Sequence, residues 1–207
     1  YSSSKGCAEL VASSYRRSFL QEQGIGLASV RAGNVIGGGD WADDRLIPDI
    51  LRSFEKNEAV VIRNPKATRP WQHVLEPLSG YLSLAVALSK RPELHGEPFN
   101  FGPQAQQNHS VLELVQAMSG HWDKVRWEDN SGDEKEPYES GLLKLNCDKA
   151  LYHLKWQTIL SFQETVKMTA EWYCSYYEDP STIRDVTLAH IREYESMAQK
   201  KGMQWAL

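Results

Sequence analysis

Leu27-Ala28-Ser29-Val30-Arg31-Ala32-Gly33-Asn34-Val35-Ile36-Gly37-Gly38-Gly39-Asp40-Trp41 is the stretch from which the fold can be read. Leu27 to Arg31 is a short apolar run, with Gly24 and Gly26 before it and glycines after it. That pattern is expected of a buried parallel strand, whose two faces are both covered. In open α/β sheets, ligands bind just beyond the carboxyl end of such a strand. The loop from Ala32 to Trp41 occupies that position. Its glycines let backbone approach a ligand closely, and the Asn34 amide can hydrogen-bond a sugar or a phosphate. A Gly-rich turn without a ligand is the plain alternative.

Elements on both sides fit a mixed α/β chain. Upstream, residues 5–22 read as a helix that Gly24 and Gly26 stop, with Leu10, Val11, Ser14, Tyr15 and Ser18 on an uneven face. Downstream, a helix is expected over 47–56 with Pro48 in its first turn, a strand over 59–63, and a second short strand over 71–74. A helix over 76–89 follows, then a strand at 99–102 stopped by Gly102-Pro103. Ser110-Val111-Leu112-Glu113 and Ser161-Phe162-Gln163-Glu164 are capping boxes, each opening a helix. The second helix is expected to bury Phe162, Val166, Thr169, Trp172, Tyr173 and Tyr176. A strand over 125–128, an acidic loop over 129–136 and a terminal helix over 183–200 complete the reading. The later segments form a smaller α+β lobe interleaved with the sheet, mainly residues 34–72 and 104–207.

The 207 residues, 41% hydrophobic and 24% charged, are those of an ordinary globular chain able to bury a good core. A formal charge of -4 and the absence of any Lys/Arg run argue against nucleic-acid or anionic-membrane binding. Cys7, Cys147 and Cys174 are scattered and have no metal or disulfide spacing, which fits a reducing, cytoplasmic compartment. No His-Glu-x-x-His or Cys/His cluster is present, so no metal is expected. His73 reads as a packed polar residue, and Trp122, Trp127, Trp156 and Trp172 as core.

Four stretches could carry chemistry. Tyr1 and Lys5 lie one turn apart on a helix face. A phenol with a pKa near ~10 becomes a usable base when a fixed ammonium stabilises its phenolate. Such a pair can take a proton from a sugar hydroxyl. The second stretch is the Asn34 loop. In the third, Arg63 to Val74, a guanidinium offers paired donors to a diphosphate. Arg69, between Thr68 and Pro70-Trp71, is the preferred ligand there, and Lys66 reads as solvated. In the fourth, Glu136 to Ser140, Tyr138 beside Glu139 could stack on and hydrogen-bond a base. A surface turn is the alternative.

Taken in order, Tyr1-x-x-x-Lys5, Arg31-Ala32-Gly33-Asn34-Val35-Ile36-Gly37, Arg45-Leu46-Ile47-Pro48 and Thr68-Arg69-Pro70-Trp71-Gln72-His73-Val74 resemble the extended short-chain dehydrogenase/reductases that act on nucleotide sugars. Within that family, the runs from Gly37 to Asp49 and from Arg69 to Pro77 look like the members that dehydrate CDP-glucose. The resemblance implies the C-terminal part of an NAD-binding Rossmann-type doubly wound sheet plus a smaller α+β substrate-binding lobe. It also implies a lyase with Tyr1 and Lys5 as catalytic residues. Tyr1, Lys5, Gly33 and Val35 then fall on the NAD side, and Asn34, Arg45, Arg63, Arg69, Tyr138 and Glu139 on the substrate side. The family usually has histidine where this chain has Tyr138. A homodimer through the 5–22 helix and a cytoplasmic role in O-antigen biosynthesis follow from the same resemblance.

No Gly-x-Gly-x-x-Gly follows a strand anywhere in the chain. The resemblance implies that the dinucleotide-binding half and the acid/base pair for elimination lie upstream of Tyr1. The 207 residues alone are expected neither to hold NAD strongly nor to turn over. Another nucleotide-sugar epimerase or decarboxylase, or a non-catalytic nucleotide-sugar-binding remnant, is the competing reading.

Overall fold

A computed structural model describes residues 2–62, 64–104, 106–122, 125–129 and 143–207. Tyr1, Arg63, Tyr138 and Glu139 lie outside the described residues, as does most of the acidic loop.

Helix α1, Ser2–Tyr15, continues as a π-helical turn over Arg16–Leu20. Strand β1, Ser29–Ala32, follows after residues 21–28. Strand β2 is Asn34–Ile36, and helix α2 is Leu46–Glu55. Strands β3 (Val60–Ile62), β4 (Thr68–Arg69) and β5 (Trp71–His73) lead into helix α3, Leu75–Leu88. Then come β6 (Pro98–Phe101), β7 (His109–Ser110), α4 (Val111–His121), β8 (Trp127–Asp129), α5 (Asp148–Leu154), α6 (Phe162–Glu178) and α7 (Ile183–Lys200).

The expected strand at 27–31 is present, displaced to Ser29–Ala32, and it is parallel to β6 with Ala32 opposite Phe101. The Asn34 segment differs from expectation: it is a strand, parallel to β5, with Asn34 opposite Trp71. The change of partner happens at Gly33. Its N–H donates to the Phe101 carbonyl at 3.1 Å, and the next N–H, of Asn34, donates to the Pro70 carbonyl at 3.0 Å. Gln72 ties the two pairs together, donating through Nε2 to the same Phe101 carbonyl at 2.8 Å. β3 pairs parallel with β8, and β4 antiparallel with β7, setting Arg69 opposite His109.

Ile47, Ile50 and Leu51 recur at helical spacing on α2 and enter one core with Leu114 and Met118 of α4 and Val166 of α6. A second core joins Phe99 and Phe101 of β6 to Leu84 of α3, Ala150 of α5 and Trp156. A third seats α7 through Tyr194 and Ala198 against Ile159, Leu160 and Met168 of α6. Both expected capping boxes are formed, Ser110 with Glu113 and Ser161 with Glu164. Trp122 and Trp156 are core residues, whereas Trp172 and Tyr176 are only half-buried. The apolar residues of α1 and its continuation face outward: Leu10, Val11, Tyr15 and Phe19 are all more than half exposed.

Among the described residues, no helix is long and apolar enough to cross a membrane, and no group of three or more His, Cys, Asp or Glu could hold a metal ion.

Candidate nucleotide-sugar site

Parallel β2 ends at Ile36, and residues 37–45 carry the chain to the first turn of α2. This loop is held from three directions. From α6, the Tyr173 hydroxyl accepts the Asp40 N–H at 3.0 Å. The same hydroxyl lies 2.9 Å from the Asp40 carbonyl and 3.2 Å from that of Gly37. It has one proton and donates to one of the two at a time. Burial pushes the Tyr173 phenol up to about 12, so it remains a neutral donor. Trp172 packs directly on Gly38, where a Cβ would come 2.0 Å from the indole. The Trp172 Nε1 donates to Thr187 Oγ1 of α7 at 2.9 Å.

The loop also braces itself. Asp40 Oδ1 accepts the Ala42 N–H at 3.1 Å, and Oδ2 pairs with Arg45 Nη1 at 2.9 Å. From α2, Arg52 donates to the Ala42 carbonyl at 3.2 Å and pairs with Asp43 at 3.2 Å and Asp49 at 2.6 Å. Arg45, the residue before α2, has an exposed side chain paired with Asp40, and the helix start that follows has N–H groups without an intrahelical partner. Such a helix start suits a phosphate when a cation stands next to it.

The register of β2 on β5 sets Asn34 opposite Trp71, two positions beyond Arg69. Arg69 is buried, and its Nη1 donates to the Thr68 carbonyl at 2.9 Å. Trp71 Nε1 donates to the His109 carbonyl at 3.0 Å, fixing β5 to the segment opposite Arg69. His73 is packed, as expected. Burial, helped by the nearby His190, lowers it to about 4, so it is neutral. Its Nδ1 accepts the Leu75 N–H at 3.3 Å.

Lys5 stands on the exposed first turns of α1. One turn further on, Glu9 accepts from Ser29 Oγ at 2.8 Å and pairs with Arg31 at 2.5 Å, which pins the helix along β1. Gly33, Asn34 and Val35 follow directly on the carboxyl end of β1. The structure thus brings the Asn34 and Arg69 segments together and sets Arg45 at the end of the same loop. Tyr173, Trp172, Arg52 and Gln72 were not legible as site residues. Tyr173 and Trp172 read as helix core, and nothing local reveals which loop they grip.

Solved structures share this arrangement of helices and strands. A dTDP-glucose 4,6-dehydratase from Bacillus anthracis, in complex with NAD, superposes with a TM-score of 0.64 at 18% identity, covering 90% of this chain and 54% of that one. A UDP-glucuronic acid 4-epimerase from Bacillus cereus, with UDP-glucuronic acid and NAD, gives 0.65 at 16% identity over 82% of this chain and 50% of that one. The fold is therefore the Rossmann-type α/β fold of these dehydratases and epimerases. At the level of sequence the likeness is narrower: a CDP-glucose 4,6-dehydratase of Salmonella typhimurium is 51% identical over 179 residues, which make up 84% of this chain and 49% of that protein. The resemblance read from the motifs is borne out. The chain spans about half the length of the curated relative it matches. No family profile matches it.

Proposed function

We propose that this chain is the nucleotide-sugar-holding part of an NAD-dependent CDP-glucose 4,6-dehydratase, a lyase that forms CDP-4-keto-6-deoxyglucose. The observation that carries the reading is the register setting Asn34, just past the carboxyl end of parallel β1, opposite Trp71 and two positions from Arg69. The sequence likeness to the Salmonella dehydratase supports the choice of CDP-glucose over other nucleotide sugars. In this reading the substrate lobe comprises mainly residues 34–72 and 104–207.

The roles follow from the chemistry of the side chains. Asn34 and Arg69 hold the diphosphate, the amide as a directional donor and the guanidinium as a charged fork. Arg45 closes the nucleotide side, with Arg63, Tyr138 and Glu139 as further contacts. Lys5 lowers the pKa of Tyr1 so that the phenolate takes the proton from the sugar 4-hydroxyl. Water then leaves across C5 and C6. NAD, when bound, supplies a hydride acceptor at the start of the sequence and a donor at its end. The residues present fit the nicotinamide end of that cofactor. At Gly33 the protein's own packing fills the Cβ position, which would come 2.5 Å from the Pro70 carbonyl, so the fit rests on Gln72. Beside it, buried Gln72 keeps Oε1 without a partner among the described residues, an acceptor for an amide N–H. Val35 follows on the same side.

We also propose a homodimer in which the outward apolar face of α1, including Leu10, Val11 and Tyr15, packs on its twin. Leu10→Glu should shift such a dimer to monomer in sizing chromatography. A cytoplasmic enzyme supplying deoxysugar for O-antigen completes the reading.

The test uses protein at the full length of the Salmonella relative, supplied with NAD and CDP-glucose. Mass spectrometry should show a product lighter by one water. Equal rates with UDP- and dTDP-glucose would overturn the CDP assignment. A C4 epimer formed without loss of water would make the protein an epimerase.

A further inference from the structure

The glycines at 37–39 make this loop the segment near Asn34 with the most backbone freedom. An exposed recognition group is useful only if its position is fixed before the ligand arrives. The contacts from α6 supply that fixation through one hydroxyl. Tyr173 Oη holds the Asp40 backbone at both its N–H and its carbonyl side. The Asp40 carboxylate in turn holds the Ala42 N–H and the Arg45 guanidinium. The Tyr173 ring is independently packed, with Trp41 at 5.5 Å and Trp172 at 5.1 Å, both edge-on. Its hydroxyl is therefore not needed to keep the ring in place.

We propose that Tyr173 is a positioning residue for nucleotide recognition: it fixes the backbone of Asp40, and through the Asp40 carboxylate it sets the guanidinium of Arg45 toward the nucleotide. The direction of influence is from α6 to the loop. Trp172, pinned to Thr187, supports the same loop at Gly38 but touches no group that binds ligand. The identity of the nucleotide rests on the function proposed above, whereas the mechanical link does not.

The experiment compares the parent chain with Tyr173→Phe, Arg45→Ala and the double variant. It has two readouts, amide hydrogen exchange and titration with CDP. Tyr173→Phe keeps the ring and loses only the hydroxyl. The Asp40 and Ala42 amides should exchange at least about tenfold faster, consistent with loss of hydrogen bonds worth roughly one kcal/mol or more each, while amides within β2 and α2 stay protected. The dissociation constant for CDP should rise about fivefold to tenfold in Tyr173→Phe. The double variant should bind CDP no more weakly than Arg45→Ala alone, because the phenol acts through that guanidinium. Unchanged Ala42 exchange, or losses of CDP affinity that simply add, would overturn the proposal. A purely structural role would instead lower the protection of β2 and α2 together with the loop. Should the parent chain bind no CDP, the nucleotide reading fails, and exchange at Asp40 and Ala42 still decides whether Tyr173 governs the loop.

Discussion

Two polar clusters on this chain use the same chemical groups to opposite ends. At the base of α3, Glu76 is buried, and its carboxylate accepts three donors. Its Oε1 accepts the N–H groups of Ile159 and Leu160 at 2.8 and 2.6 Å, and Oε2 accepts the Tyr194 hydroxyl at 2.8 Å. Ser79 Oγ lies 3.0 Å from that hydroxyl and accepts Trp156 Nε1 at 2.9 Å. Lys201 closes the group by donating to the Ile159 carbonyl. In the 37–45 loop, by contrast, Asp40 and Arg45 are paired with each other at the surface, and the guanidinium is 62% exposed. A closed network holds helices together. One that ends in an exposed charge leaves donors for something else to use. The contrast separates a carboxylate spent on structure from an arginine left exposed, without any appeal to their chemical types.

The largest effect is expected where closure is most complete. Glu76→Ala leaves two backbone N–H groups and a tyrosine hydroxyl buried without acceptors, and it should cost about 3–5 kcal/mol in a denaturant melt. Loss of under about 1 kcal/mol would show that the network contributes little.

Next is the pH dependence of the same site. Burial pushes the Glu76 carboxyl up from 4.5 to about 7, against the opposing pull of its donors and of Lys201. Because the folded value is the higher one, this contribution to stability is complete below about pH 4.5. It is lost as the pH rises through about 7, amounting to about 3 kcal/mol over the range. Glu76→Gln retains an acceptor for Ile159 and Leu160 but carries no charge, so melts of this variant should lose that slope between pH 5 and 8. Parallel pH profiles for the two proteins would refute the assignment.

Gly38 gives a smaller effect, confined to the loop and the indole beneath it. A Cβ there would overlap the indole of Trp172, which is held by Thr187 and cannot retreat freely. Gly38→Ala should therefore cost about 1–3 kcal/mol by overpacking, and it should displace the loop even where the fold survives. A melt unchanged from the parent chain would mean that the indole can swing away.

These expectations also mark what the sequence could carry. The capping boxes at Ser110 and Ser161 were legible because both partners lie within one helical turn. Helices α2, α3 and α6 were legible from periodicity and stops, and β1 and β6 from short apolar runs. Asn34–Ile36 was not legible as a strand, because glycines flank it and its pairing partner at Trp71–His73 lies far along the chain. Glu76 stands at the start of the expected 76–89 helix, and nothing local marks it as buried. What buries it comes from Ile159, Leu160 and Tyr194, which no local pattern connects to it. Helix α5 is short and lacks a capping side chain, so it gave no signal. Asn34 and Arg69 were legible from the loop's position and from side-chain chemistry, and Arg45 from motif resemblance. The groups that position them, Tyr173 and Arg52, act across tertiary contacts that a linear reading cannot supply.

The smallest stability effect sharpens the comparison most, because Arg45 is where structure and function should come apart. Its pair with Asp40 is exposed and screened, so Arg45→Ala should change stability by no more than about 0.5 kcal/mol. The same substitution removes a charged donor from the loop end beside the α2 N-terminus, and charge-assisted hydrogen bonds are the stronger class. Affinity for CDP should therefore fall about tenfold, with an ionic-strength dependence weaker than that of the parent chain. Lysine at this position should restore the salt dependence but only part of the affinity, since an ammonium lacks the planar fork. A variant that melts early yet binds CDP normally would invert the assignment, making Arg45 a brace for the loop and leaving nucleotide recognition to Arg69 and Asn34.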